Sequence, residues 1–120
     1  MPQNNLLRVH VRAELAAARN ARTQGDIERT WHHLERAHIL AQPSAWMHTH
    51  VHGSMWMLAL VSLDLRELAG QTARLLVAGL GSLLGRYPVG NTGRARVPMS
   101  MPMRIPDDLQ LVLRQAGATA

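Results

Sequence analysis

At 120 residues the chain is long enough to bury one hydrophobic core, and without cysteine it holds no disulfide, thiolate zinc site or iron–sulfur cluster. The net charge is +5 and every basic residue is arginine; these are scattered without a recognition motif and with few aromatic residues to stack on bases, so no nucleic-acid partner is expected. The longest apolar stretch, Leu75 to Gly85, is too short to span a bilayer, and no segment has the order of a signal peptide, so a cytoplasmic protein with no membrane partner is expected.

The pattern predicts an all-α fold of about four antiparallel helices in a bundle, in one domain over 1–120. A bundle spans 1–85, an extended strap 86–106 and a short helix 107–116. The first helix runs from about Leu6 to Thr23, capped by Asn5 and ended by Gly25, with Leu7, Val11, Glu14 or Leu15, and Ala18 on its inward stripe. Asp26 caps the second, which stops near Gln42 because Pro43 follows. Ser44 caps the third, to about Leu63, where Gly53 lowers helix propensity and would admit a close neighbour. Asp64 precedes the fourth, Leu65 to about Leu84, whose small residues Ala69, Gly70, Ala73, Ala78, Gly79 and Gly81 predict tight helix packing. Tyr87 to Pro106 carries four prolines and the turn-like Gly90-Asn91-Thr92-Gly93, and reads as irregular chain. Its alternating Met99, Met101 and Met103 suggest an apolar strap across the bundle rather than a copper motif. Asp107 or Asp108 starts the last helix.

Six of the seven histidines lie between positions 32 and 52. Helical phase sorts them, since residues three and four apart share a face. Trp31, Leu34, Glu35 and His38 form one stripe, whose apolar members turn it inward. Glu35 and His38 thus have the Glu-x-x-His spacing that brings two ligands to one metal in di-iron bundles, although only one copy occurs here. His48, Val51, His52 and Met55 form a second inward stripe, with His48 and His52 one turn apart, a spacing that lets two imidazoles grip one ion. The short link at Pro43 brings His38 toward them, and Glu14 is a further candidate oxygen ligand, with Glu67 behind it. His50 points elsewhere. Nitrogen and oxygen donors of this kind suit a divalent metal ion, zinc or iron foremost. A purely structural reading competes: buried neutral histidines bonded to carboxylates or carbonyls would also order three helices. Nucleophile elbows, phosphate-binding loops and dinucleotide fingerprints are all missing.

The run Trp31-His-His-Leu-Glu-Arg-Ala-His-Ile-Leu-Ala-Gln42, the His48/His52 pair, Glu67-Leu-Ala-Gly-Gln71, Val89-Gly-Asn-Thr-Gly93 and Pro102 to Leu109 together resemble a family of small bacterial proteins catalogued as domain of unknown function 3703. Glu14, His33, Leu34, Glu35, Arg36, Ala37, His38, Gln42, His48, His52, Gln71 and Pro88 fit that family's pattern; Ala41 stands where glycine is usual, and Arg94 departs from it after Asn-Thr-Gly. His10, His32 and His50 fall outside it. The resemblance implies no established activity.

The combined expectation is a soluble metal-binding protein, for metal homeostasis or sequestration, with Glu35, His38, His48 and His52 as ligands and Glu14 joining or orienting one. His33 would support a ligand, and Arg36 and Arg74 would sit at the surface or pair with carboxylates. The alternatives are a metal-dependent oxidase or hydrolase and a non-catalytic interaction protein. In the last, the tail and the fourth helix would cover a homodimer interface.

Overall fold

The structure, a computed structural model, describes residues 2–118 and is all-α: α1 (Pro2–Thr23), α2 (Ile27–Ala41), α3 (Ala45–Val61), α4 (Leu65–Leu83) and α5 (Asp107–Gln115), with no strand among the described residues. The local punctuation follows the sequence. Gly25 takes the left-handed conformation (φ +74°) that ends α1. The Asp26 carboxylate accepts from the Arg29 amide, Ser44 Oγ from Met47 and Asp64 from Glu67, each capping the helix that follows. Two boundaries differ from expectation. α1 begins at Pro2, so Asn5 lies inside it rather than capping it; a first-turn amide has no intrahelical acceptor, and proline is therefore tolerated there. α3 ends at Val61, before the expected Leu63, because Leu63 adopts a left-handed conformation (φ +55°) and turns the chain into α4.

The helices pack in series, α1 on α2, α2 on α3 and α3 on α4, while α5 lies across α1 and α2. Leu7, Val11, Leu15 and Ala18 of α1 meet Trp31, Leu34 and Leu40 of α2, Val51, Met55 and Leu58 of α3, and Leu109 and Leu113 of α5 in one core. Gly53 admits no close neighbour, contrary to expectation: a Cβ there would meet nothing within 4 Å. The small residues of α4 divide. Ala69 and Ala73 are exposed, Gly70 and Gly81 face Ala95 and the Arg86 carbonyl of the strap, Ala78 is buried on the helix that packs on α3, and the surroundings of Gly79 lie outside what the structure describes. No helix among the described residues is long and apolar enough to cross a membrane.

The strap from Arg86 to Pro106 is held by polar bonds more than by its methionines. Met99 and Met101 are nearly half exposed. Asn91 Nδ2 instead donates to the carbonyls of Pro98 (3.0 Å) and Met101 (2.8 Å), and the Met103 amide donates to Val89 O (2.9 Å). Arg74 reaches up from α4 to the carbonyls of Arg94 (3.0 Å) and Val97 (2.7 Å). These bonds bring residues 91–95 against α2 and α4, where the Asn91 carbonyl meets His38 and the Gly93 carbonyl meets Gln71.

Candidate metal centre

His38 comes from α2 and His48 and His52 from one face of α3; all three are buried among the apolar residues that turn those faces inward. Their Nε2 atoms form a small triangle: His38 to His48 2.9 Å, His38 to His52 3.0 Å, His48 to His52 3.2 Å.

The far side of each ring fixes what those nitrogens are. His38 Nδ1 lies 2.7 Å from the Asn91 carbonyl, which only accepts, so Nδ1 carries the proton. His48 Nδ1 lies 2.7 Å from Ser82 Oγ, whose single proton goes to the Gln42 carbonyl (2.7 Å); Ser82 therefore accepts from His48. His52 Nδ1 lies 2.7 Å from Gln71 Oε1, and the orientation of that amide is set by Nε2 donating to Glu67 (3.1 Å) and to Gly93 O (2.8 Å). In neutral rings with these tautomers, all three Nε2 atoms present bare lone pairs to one another. No proton lies between them, so the short separations are not hydrogen bonds. Three acceptors at this distance repel unless a cation sits among them.

The spacing suits such a cation. A tetrahedral ion with nitrogens at about 2.0–2.1 Å needs nitrogen pairs about 3.3–3.4 Å apart, a small expansion of the observed triangle. The rings are also held neutral, as ligands must be. Burial pushes the His48 imidazolium down to about 4, with the neighbouring His52 adding to the effect. Burial likewise brings His52 to about 4, against the partial opposition of its bond to Gln71. His38, the most enclosed, is lowered well below the ordinary range by burial first and by its two histidine neighbours second.

Of the residues expected at the site, the structure brings together His38, His48 and His52, whose ligand atoms all lie within 4.8 Å of one another, and leaves two apart. Glu35 is on the same helix but points to Arg94 (3.2 Å), which spans to Glu67 (2.5 Å) and stacks over Trp31, 3.9 Å from the ring centre. An arginine stationed on the indole outcompetes the histidine cluster for that carboxylate. Glu14 faces the opposite side of α2, where it accepts from Arg36 Nε (2.9 Å) and meets His33 Nδ1 (2.7 Å). Arg36 also pairs with Asp108 at the start of α5, so Glu14, His33 and Arg36 tie α1, α2 and α5 together away from the three histidines. Arg74, expected at the surface or on a carboxylate, is buried and bonded to backbone carbonyls.

Gly93 lies flat against His38. At φ +82° a side chain is strained, and a Cβ there would come within 2.6 Å of His38 Cδ2. The histidines open onto a cavity of about 200 Å³ bordered by Arg74, Arg86, Tyr87 and Met99.

The family described as "Protein of unknown function (DUF3703)" matches residues 5–113. The chain belongs to this family. Neither curated proteins nor solved structures yield a match. The segments through which the sequence resembled DUF3703 now have structural roles. Glu67 and Gln71 of the Glu-Leu-Ala-Gly-Gln segment hold His52, and the Gly-Asn-Thr-Gly turn holds His38 through the Asn91 carbonyl and the bare face of Gly93. Glu67, expected as a reserve oxygen ligand, is instead bound by Gln71 and Arg94, and the other supporting residues have no role assigned from sequence. Gln71 and the turn carried a signal in the family pattern alone, and Ser82 carried none.

Proposed function

We propose that this protein binds a single divalent transition metal ion through His38, His48 and His52, in metal homeostasis or sequestration. The observation that carries the reading is the convergence of three unprotonated Nε2 atoms, each ring fixed from behind by a hydrogen-bond acceptor. Metal-ligating histidines are typically held in this way. An all-imidazole donor set favours zinc over non-haem iron, which commonly takes a carboxylate beside two histidines; here the ion pair with Arg94 withholds Glu35.

Protein purified without a histidine tag should contain, or take up, about one metal ion per chain by elemental analysis, the stoichiometry of a single three-histidine site. The variant His38→Ala/His52→Ala should lose it. Protein that takes up neither zinc nor iron would overturn the reading. Glu35→Gln and Glu14→Gln should keep the metal; loss in either would restore that carboxylate to the ligand set.

The cavity beside the histidines favours a second reading, a metal-dependent hydrolase or oxidase. Three protein ligands with an open fourth position are the arrangement of catalytic zinc. Turnover of ester or phosphoester probes that is lost with the metal would separate this from sequestration. The homodimer reading draws on the outer side of α4, where Leu76, Leu80 and Leu83 stand 81%, 61% and 77% exposed. Twice the chain mass in light scattering would support it.

A further inference from the structure

We propose that the cavity over the three histidines takes a small oxygen-donor anion, a carboxylate or inorganic oxyanion, as the fourth ligand of the bound metal. The inference rests on the metal-binding reading above and follows from the charges around the site.

The ligand set supplies no negative charge, because the three imidazoles are neutral. A dication held there adds two positive charges to a buried region. Burying charge without compensation is costly, so the environment must supply the balance. The described carboxylates near the site are already engaged. Glu67, the carboxylate behind His52, is engaged by Arg94 (2.5 Å), by the Ala95 amide (3.1 Å) and by Gln71. Glu35 is held by the same arginine. Among the described residues no carboxylate lines the cavity.

The cavity wall adds further positive charge. Arg74 is 7% exposed and borders the same space. Its three protein hydrogen bonds go to the carbonyls of Gly70, Arg94 and Val97, none of which neutralises it. A guanidinium has five N–H donors, so the Nε proton and one Nη1 proton remain for a ligand. Arg86 stands exposed at the mouth, and Tyr87 adds a phenol. An anion in the cavity balances the dication and is hydrogen-bonded by Arg74. The volume of about 200 Å³ lies below the range of sites for drug-sized ligands, which restricts the ligand to a few heavy atoms.

Cobalt(II) reports on both layers of the argument. Titration of metal-free protein with cobalt should give the visible bands of a four-coordinate ion. Failure to bind cobalt or zinc would overturn the metal reading and this proposal together. With cobalt bound, acetate or phosphate should shift the bands saturably, and neutral acetamide should not. Arg74→Met should weaken acetate binding about tenfold or more, as expected for lost hydrogen bonds to a charged group. Because Arg74 also holds the strap, Arg86→Ala serves as the second variant and should weaken acetate in the same direction by a smaller factor. Bands that ignore every anion would overturn the proposal with metal binding intact, and so would an equal response to acetamide. If Met99→Leu abolished a sulfur-to-cobalt band, Met99 would occupy the fourth position and the proposal would be overturned.

Discussion

Gln71 holds His52 only because its amide is itself held by Glu67 and Gly93, so the orientation of one ring depends on a chain of three residues. Gln71→Leu removes the acceptor for His52 Nδ1–H while keeping a similar volume. Metal affinity should fall by roughly 10–100-fold, the usual consequence of losing a bond behind a ligating histidine; a competition titration with a chromophoric chelator measures it. Gly93→Ala acts through sterics instead. It forces a side chain into a left-handed backbone position and against the His38 ring, and should cost about 1–3 kcal/mol of stability in chemical denaturation as well as metal affinity. The two variants thus separate a polar contribution from a steric one at neighbouring histidines.

The elements of the fold carry different burdens. α3 presents His48 and His52 on one face, and Gly53 on another has open space around it. Gly53→Ala should stabilise the protein by roughly 0.5–1 kcal/mol through helix propensity, seen as a higher midpoint in thermal denaturation with metal affinity unchanged. The strap behaves oppositely. Arg94 joins it to α4 through Glu67, to α2 through Glu35 and to the Trp31 ring. Glu67 is 1% exposed, so Arg94→Ala leaves a buried carboxylate with only its bonds to Gln71 and the Ala95 amide, at a cost of about 3–5 kcal/mol. Denaturant melts at neutral pH check this. The family pattern made Arg94 look like a turn substitution; its contacts make it the residue that fastens the strap.

The whole molecule places three buried, neutral histidines in its interior, and this couples folding to pH. His48 and His52 have folded-state values of about 4, below the ordinary value of 6.5 that they regain on unfolding. Between those limits the unfolded chain binds protons that the folded chain refuses. Stability of the metal-free protein is therefore fully present above about pH 6.5 and is lost as pH falls toward 4, by up to about 1.4 kcal/mol per pH unit for each histidine. Thermal melts across that window in the presence of a chelator test the sign: a midpoint that rises on acidification would contradict it. Metal acts on the same equilibrium. An ion present at about 100–1,000 times its dissociation constant should add about 3–4 kcal/mol to folding, and a chelator should remove it.

The sequence by itself determined the helical content, the caps at Asp26, Ser44 and Asp64, and the two inward stripes that carry His38, His48 and His52, because these depend on residue types a few positions apart. Helical phase set Glu35 beside the histidines as a ligand and kept Glu14 in reserve, since it says which face a residue occupies and not which partner waits there. Tertiary structure decided that point. Arg94, brought by a strap almost sixty residues away in sequence, draws Glu35 aside, and Arg36 does the same for Glu14. The direction of each imidazole was likewise invisible in the sequence. It is set by Asn91, Ser82 and Gln71, which reach the rings only when α2, α3, α4 and the strap are packed together.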